Sequence, residues 1–483
     1  MRNSLVLTAL LLPGAACTAA AQAAPDSETA TQVQRIQQSI QKVESQLQES
    51  QQELQLLKQQ LQQLQAATAA TPAAHAPATV EPAANSALAE QQAMQESQIA
   101  TLDQAKVEST SKFPVRISGT ILLNGFVNSA GTDIAAVPTS AIGGSGNTGL
   151  SLRQTMLGID ARGPHLMGAE SHADLYVDFF GSSATGGYND ASGLVRLRTA
   201  HASLLWKQTE AFFSLDRPLI NPHSPTSLTA VALPELAWSG NLWNWVPQLG
   251  VTHTFGQQHR LRMQGGLIMP PDAPYIANPN ASTQPGFTLA EHGRWPGLEG
   301  RVAVLGANDD RGLQVGAGGY FSRHTTVGGR NFDAWAGTVD WRVPLWRSAQ
   351  VTGNAYYGRA LGGLGAGGYK DYVYRANPAG DIVLSAPKDA GGWLQLKQSL
   401  GQRLEWNSGF GLDNVYANDL RPYTLSTALY ANTARNRAVY SNLIFAPRAS
   451  LLFSFEYRHL DTWPISGRPW NANLYGIAAG YRF

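Results

Sequence analysis

One cysteine occurs in the whole chain, Cys17, so no internal disulfide can hold the fold. Charge is scarce as well: 14% of residues are Asp, Glu, Lys or Arg, and the formal net charge is +1. That balance gives no overall electrostatic basis for binding nucleic acid. Beyond the N-terminus there is no apolar run of about 20 residues, which excludes a membrane-spanning helix. No HExxH, paired-Cys or EF-hand pattern occurs, so the sequence offers no metal site and calls for no cofactor. His223–Ser224 and Ser171–His172 are adjacent pairs, but neither forms a nucleophile elbow, and neighbours in a strand point to opposite faces. The expectation is a protein without enzymatic activity.

What the chain does have is glycine, 48 residues of 483, a mean hydropathy of −0.19, and two strong periodicities. The first runs from Val33 to Leu64. Apolar residues fall at Val33, Ile36, Ile40, Val43, Leu47, Leu54, Leu57, Leu61 and Leu64, in alternating steps of three and four with Ser50 holding the one polar slot. This spacing predicts a coiled-coil helix, whose seam needs partner helices to be buried. Ile and Val occupy both seam positions early on, which favours three strands over two. Residues 1–24 have the layout of a signal peptide: Arg2, the apolar stretch Leu5 to Leu12, and small residues at Ala21-Gln22-Ala23. The domain reading is a signal peptide over 1–24, a coiled-coil helix over 25–65, an Ala/Pro linker over 66–112, and a β-domain over 113–483.

From Phe113 the period changes to two. Leu451, Phe453, Phe455 and Tyr457 alternate with Leu452, Ser454, Glu456 and Arg458, and Tyr475 to Phe483 alternates in the same way. One apolar and one charged face, repeated strand after strand, leave no soluble core. They fit an antiparallel transmembrane β-barrel with lipid outside and water inside. Tryptophans near strand ends fit interfacial girdles: Trp206, Trp295, Trp335, Trp346, Trp393, Trp406, Trp463 and Trp470. Short connections alternate with long polar ones. Counting strands between them gives about sixteen, in an all-β barrel preceded by the α-helical coiled coil.

Pore-lining candidates are the charged residues at inward parity: Arg196, Arg198, Arg260, Arg262, Arg301, Arg342, Arg403 and Arg458, with Asp174, Asp178, Glu299, Asp340, Glu405 and Glu456. From Phe113 onward there are about 29 basic against 24 acidic side chains, the basic ones mostly Arg. Arginine stays charged and grips carboxylates through a planar fork, so a mild preference for anions is expected. The competing reading is that each arginine braces the wall against an acidic partner. Arg196/Arg198 and Arg260/Arg262 are the stronger lumen candidates, since each pair projects two like charges. Residues 217–246 are rich in proline and tryptophan, including Arg217, Trp238, Trp243 and Trp245. This stretch is a candidate constriction loop. Its indoles suit either a sugar-stacking slide or anchorage to the wall.

Tyr481-Arg482-Phe483 resembles the C-terminal signal read by the barrel-assembly machinery of bacterial outer membranes. Val115 to Thr120 looks like the opening strand of trimeric porins. The order of signal peptide, heptad helix, Ala/Pro linker and barrel resembles the DcaP-type porins. Leu152 to Gly158 and Leu194 to His201 are similar to early strands of that group. The resemblance implies a homotrimer in the outer membrane of a Gram-negative cell, in contact with lipid and lipopolysaccharide. It also implies passive diffusion of small anions, dicarboxylates among them. A coiled coil in the periplasm would suit contact with peptidoglycan. The alternatives are a carbohydrate-selective porin and a structural tether with little conductance.

Overall fold

A computed structural model of the 483-residue chain describes residues 114–181, 193–256, 260–275, 287–306, 312–326, 328–376, 379, 381–423 and 430–483. The predicted signal peptide, coiled coil and linker lie outside these residues.

The described chain is built from nineteen strands: β1 (Val115–Thr132), β2 (Ala141–Ser151), β3 (Met156–Arg162), β4 (Glu170–Asp178), β5 (Arg196–Leu205), β6 (Thr209–Asp216), β7 (Val246–Phe255), β8 (Arg260–Ile268), β9 (Gly297–Leu305), β10 (Gln314–Thr325), β11 (Asn331–Trp346), β12 (Ala349–Arg359), β13 (Val373–Ala376), β14 (Ile382–Ser385), β15 (Lys388–Ser399), β16 (Leu404–Val415), β17 (Thr433–Arg448), β18 (Leu451–Pro464) and β19 (Trp470–Arg482). β13 and β14 pair only with each other, as a hairpin in the connection between β12 and β15. β1 pairs with β2 along one stretch and with β3 along another, so β2 and β3 are two halves of one wall strand. The remaining pairings are antiparallel neighbours, and β1 closes on β19 with Leu123 opposite Ala479. The result is a closed sixteen-strand barrel, the architecture that leaves no sheet edge unsatisfied in lipid.

The period-two pattern lands as expected. Leu249, Val251, Leu298, Val302, Val304, Phe453, Phe455 and Ile477 are exposed on the outer face, while their strand neighbours point inward. Short turns lie at one end of the barrel, and from the other end described parts of the β6–β7 and β12–β15 connections run inward and pack together. Two connections at that second end are brief, Thr325 to Asn331 and Pro464 to Trp470, so the alternation of lengths is not uniform.

Two local expectations are corrected. Leu152 to Thr155 is not strand: the wall breaks there, and Thr155 Oγ1 accepts the Leu122 N–H at 3.1 Å in place of a ladder bond. Trp393 is no girdle residue. It points into the barrel at 2% exposure, in a cluster with Leu236 and Tyr440.

Candidate functional site

The connection between β6 and β7 decides the shape of the lumen. Pro218, Pro222, Pro225 and Pro234 withhold backbone donors and fix φ, so the segment cannot extend the sheet. It folds into the barrel, and its backbone groups find partners on the wall. Gln154, in the break between β2 and β3, donates to Thr229 O at 2.8 Å and accepts from Val231 and Ala232 N–H at 2.7 and 3.0 Å. Asn124 donates to Leu228 O, Asn442 to Thr226 O, Thr338 to Ile220 O and Asn436 to Trp238 O. Thr226 N–H donates to Gln395 Oε1 at 2.6 Å. At Gly411 a side chain would collide with the Ser239 carbonyl, so glycine there lets loop backbone rest directly on the wall. None of these amides was among the sequence candidates. Their inward parity was readable, but which of them meets the loop depends on where it crosses.

Gln154→Leu removes one donor and one doubly used acceptor beneath the loop. It is expected to destabilise the barrel by about 2 kcal/mol, read as a lowered unfolding temperature of the purified protein.

This crossing divides the lumen into a dry and a wet side. The inward residues Gln395, Asn407, Asn442, Glu456, Asn124 and Asn128, on β15 to β18 and β1, are no more than 3% exposed. On β4 to β8 part of the inward face remains open: the side chains of Asp174, His201 and Glu210 are 22%, 25% and 30% exposed, whereas Asp178, Ser214 and Gln248 are buried. A cavity of about 480 Å³ lies against this wall near the short-turn end, lined by Glu210, Thr252, Thr254, Arg260, Arg262 and Gln264 among others.

The charged candidates sort by side. On the wet wall, Arg196 grips Asp178 in a fork at 3.0 and 2.6 Å, and Arg198 reaches the same carboxylate at 3.3 Å. Trp245 lies 5.1 Å from the Arg196 guanidinium and 4.5 Å from that of Arg198. Phe180 sits between Arg153 and Arg196, at 4.3 and 5.8 Å. Arg217 follows β6 beside Asp216, whose carboxylate accepts its backbone N–H. Burial holds the Arg217 guanidinium below its usual value, against the pull of Asp216. Arg260 and Arg262 line the cavity farther down the same wall.

Elsewhere the predicted ladder becomes bracing. Arg301 is buried in a fork on Asp340 at 2.8 and 2.7 Å, with Gln264 on its third side. Arg458, also buried, bridges Glu456 at 2.8 Å and Glu235 of the inner loop. Ser227 and Thr229 of the loop donate to Glu456 as well. Burial pushes the Glu235 carboxyl well above its ordinary value, against the pull of Arg458. Asp178 and Glu299 are buried too, at 0% and 5% exposure. Arg342 donates to the Gly312 carbonyl and Gln314. Arg403 lies exposed in the turn before β16, and Glu405 pairs with Lys397 at 3.0 Å. Alternation of faces told which charges point inward. It could not tell which of them the loop would cover.

The loop tryptophans are packed. Trp238 stacks on Tyr369 at 4.4 Å, Tyr369 stacks on Tyr430 at 4.1 Å, and Trp243 meets Trp238 edge-on. Trp238 and Trp243 are 4% and 6% exposed, so neither presents a face to a sugar ring. Tyr369 arrives on the connection after β12, whose run Gly362 to Tyr369 wraps around two inward carboxylates. Asp389 accepts from Gly367 N–H, and Asp413 accepts from Gly368 N–H and Tyr356 OH. Lys370, beside them, donates to Gly368 O and Thr433 O, and burial pushes its ammonium down to about 7. The sequence signal for this second inward loop was its glycine density.

Compared with solved structures, the chain is similar to the outer membrane channel DcaP of Acinetobacter baumannii. Identity is 16%, the match covers 77% of this chain and 99% of that one, and the TM-score is 0.58. The barrel has the fold of the DcaP channel. Fainter likenesses are to the anion-selective porin from Comamonas acidovorans, with 13% identity, coverage of 77% and 100% and a TM-score of 0.48, and to Pseudomonas putida OprB, with 11% identity, coverage of 76% and 94% and a TM-score of 0.45. No protein-family model matches the sequence, and no curated protein does. At the closure of this DcaP-type barrel, Phe483 exchanges backbone hydrogen bonds with Gly119 at 3.0 and 3.1 Å. Its ring, like that of Tyr481, is exposed on the outer face.

Proposed function

We propose that the chain is an outer-membrane porin, a passive channel for small hydrophilic solutes with a mild preference for anions such as dicarboxylates. The conducting strip runs along β4 to β8, past the inner loop. The observation that carries the preference is the sharing of Asp178 by Arg196 and Arg198, which leaves an excess cation beside the strip. Arg260 and Arg262 continue the basic wall below it. Arg196 and Arg198 are 24% and 15% exposed, so this excess charge acts on a passing ion from the edge of the lumen. The homotrimer and its periplasmic coiled coil belong to the same proposal, on the strength of the heptads from Val33 to Leu64.

The sugar-selective alternative now rests on Trp245 alone, the one loop indole that is only half-buried. The experiment is single-channel recording of the mature protein in a planar bilayer under a salt gradient. Three-step closures with a reversal potential on the chloride side support the proposal. Steps without ion preference remove the role given to Arg196 and Arg198. A silent bilayer replaces the porin by the tether.

A further inference from the structure

One polar cluster faces away from the lumen. On β17 and β18 the outward row that carries Leu443, Phe445, Phe453 and Phe455 ends in Arg435, Arg437, Asp461 and Trp463. The register sets Arg437 opposite Asp461 and Arg435 opposite Trp463. Arg437 donates to Asp461 at 3.1 and 2.5 Å, and Arg435 donates through Nε to Asn414 at 2.6 Å. The two guanidiniums lie 5.6 and 5.1 Å from the Trp463 ring centre. Asp461 is held by Arg437 and lies 3.3 Å from His459, while Arg435 rests on a neutral amide, so two guanidiniums and one carboxylate leave the patch a net charge of about +1 around an indole.

Height on the wall gives this patch its meaning. A strand crosses the hydrocarbon in about 9–11 residues. β18 has 14 residues and β17 has 16. Counted from Leu451 at the short-turn end, the crossing is complete near Leu460, so Asp461, Trp463 and their partners stand just above the hydrocarbon. An outward ion pair, Arg323 with Asp333, occupies the corresponding ends of β10 and β11. Among the described strands Asp333 and Asp461 are the outward-facing carboxylates, and each is already held by an arginine. A second copy of the described barrel therefore offers no acidic wall group to neutralise Arg435.

We propose that Arg435, Arg437 and Trp463 form a binding site for the phosphate of an outer-leaflet phosphorylated glycolipid. The guanidiniums hold phosphate oxygens, and the indole lies at the boundary between sugar and acyl chain. The site rests on the outer-membrane reading but not on conduction.

The test is native mass spectrometry of the full-length protein after reconstitution with phosphorylated lipid A or with the same lipid after phosphatase treatment. The wild type is expected to retain about tenfold more of the phosphorylated form. The triple variant Arg435→Gln/Arg437→Gln/Asp461→Asn, which leaves no stranded charge, is expected to lose that difference. Arg323→Gln/Asp333→Asn is expected to keep it. Equal retention of the two lipids by the wild type overturns the site, and needs no variant to fold. A triple variant that dissociates into smaller assemblies also overturns it, since a second copy then covers the patch. Bilayer current measured on the same preparations reports failure of the porin reading separately.

Discussion

Arg260→Glu combined with Arg262→Glu is expected to turn an anion-favouring channel into a cation-favouring one. Both residues line the open cavity on the wet wall, and neither belongs to the Arg196–Asp178 fork, which survives the change. A unit charge about 7 Å from an ion in near-bulk water contributes about 0.6 kcal/mol. The two substitutions change the wall by four units, about 2 kcal/mol before screening. At 0.1 M salt on the order of 1 kcal/mol remains for each ion, with opposite sign for anion and cation. The permeability ratio should therefore move by at least about tenfold, read as a reversal potential that changes sign. The same reversals made at the buried Arg301 and Arg458 would report misfolding instead of selectivity.

The second large effect is expected from Arg458→Met. Arg458 is the one cation between Glu235 of the inner loop and Glu456 of the wall, and all three are buried. Removing it strands acid in a dry site, which costs about 3–5 kcal/mol. What still ties that part of the loop are the Ser227 and Thr229 hydroxyls on Glu456 and neutral hydrogen bonds with Gln154, Asn124, Asn442 and Gln395, each neutral one contributing about 1 kcal/mol. The expected outcome is a lower unfolding temperature together with larger, noisier unit conductance as the loop leaves the dry side. Adding Glu235→Gln and Glu456→Gln should restore most of the stability, because Ser227 and Thr229 keep acceptors and no charge is left alone. If all the variants keep wild-type conductance, the loop does not set the bore.

Much of this architecture could be read from residue alternation. Leu451 to Arg458 and Tyr475 to Phe483 announced a wall with one lipid face. The prolines after Asp216 announced a segment that could not join it. Parity also aimed Arg196, Arg198, Arg260 and Arg262 inward. What parity could not carry was pairing, because partners depend on cross-strand register and on the path of the loop. Arg301 and Arg458 have the same sequence signature as Arg262, yet they are braces, since Asp340 and Glu235 are brought to them by the fold. Trp393 looked like a girdle residue for the same reason: its place near a strand end said nothing about the Leu236 that covers it. The break at Leu152 to Thr155 was hidden because those residues continue the strand composition around them. Gln154 gains its role only once the chain loops away at that point.

The central claim is that the accessible part of the lumen lies along β4 to β8 and that the β15 to β1 side is filled by the loop. Single cysteines at Thr252 and at Asn442, in a chain without Cys17, test it most directly. A charged methanethiosulfonate reagent should modify Thr252→Cys within seconds and reduce the single-channel current, and should leave Asn442→Cys untouched. Rapid modification and block at Asn442→Cys, with Thr252→Cys inert, would contradict the account.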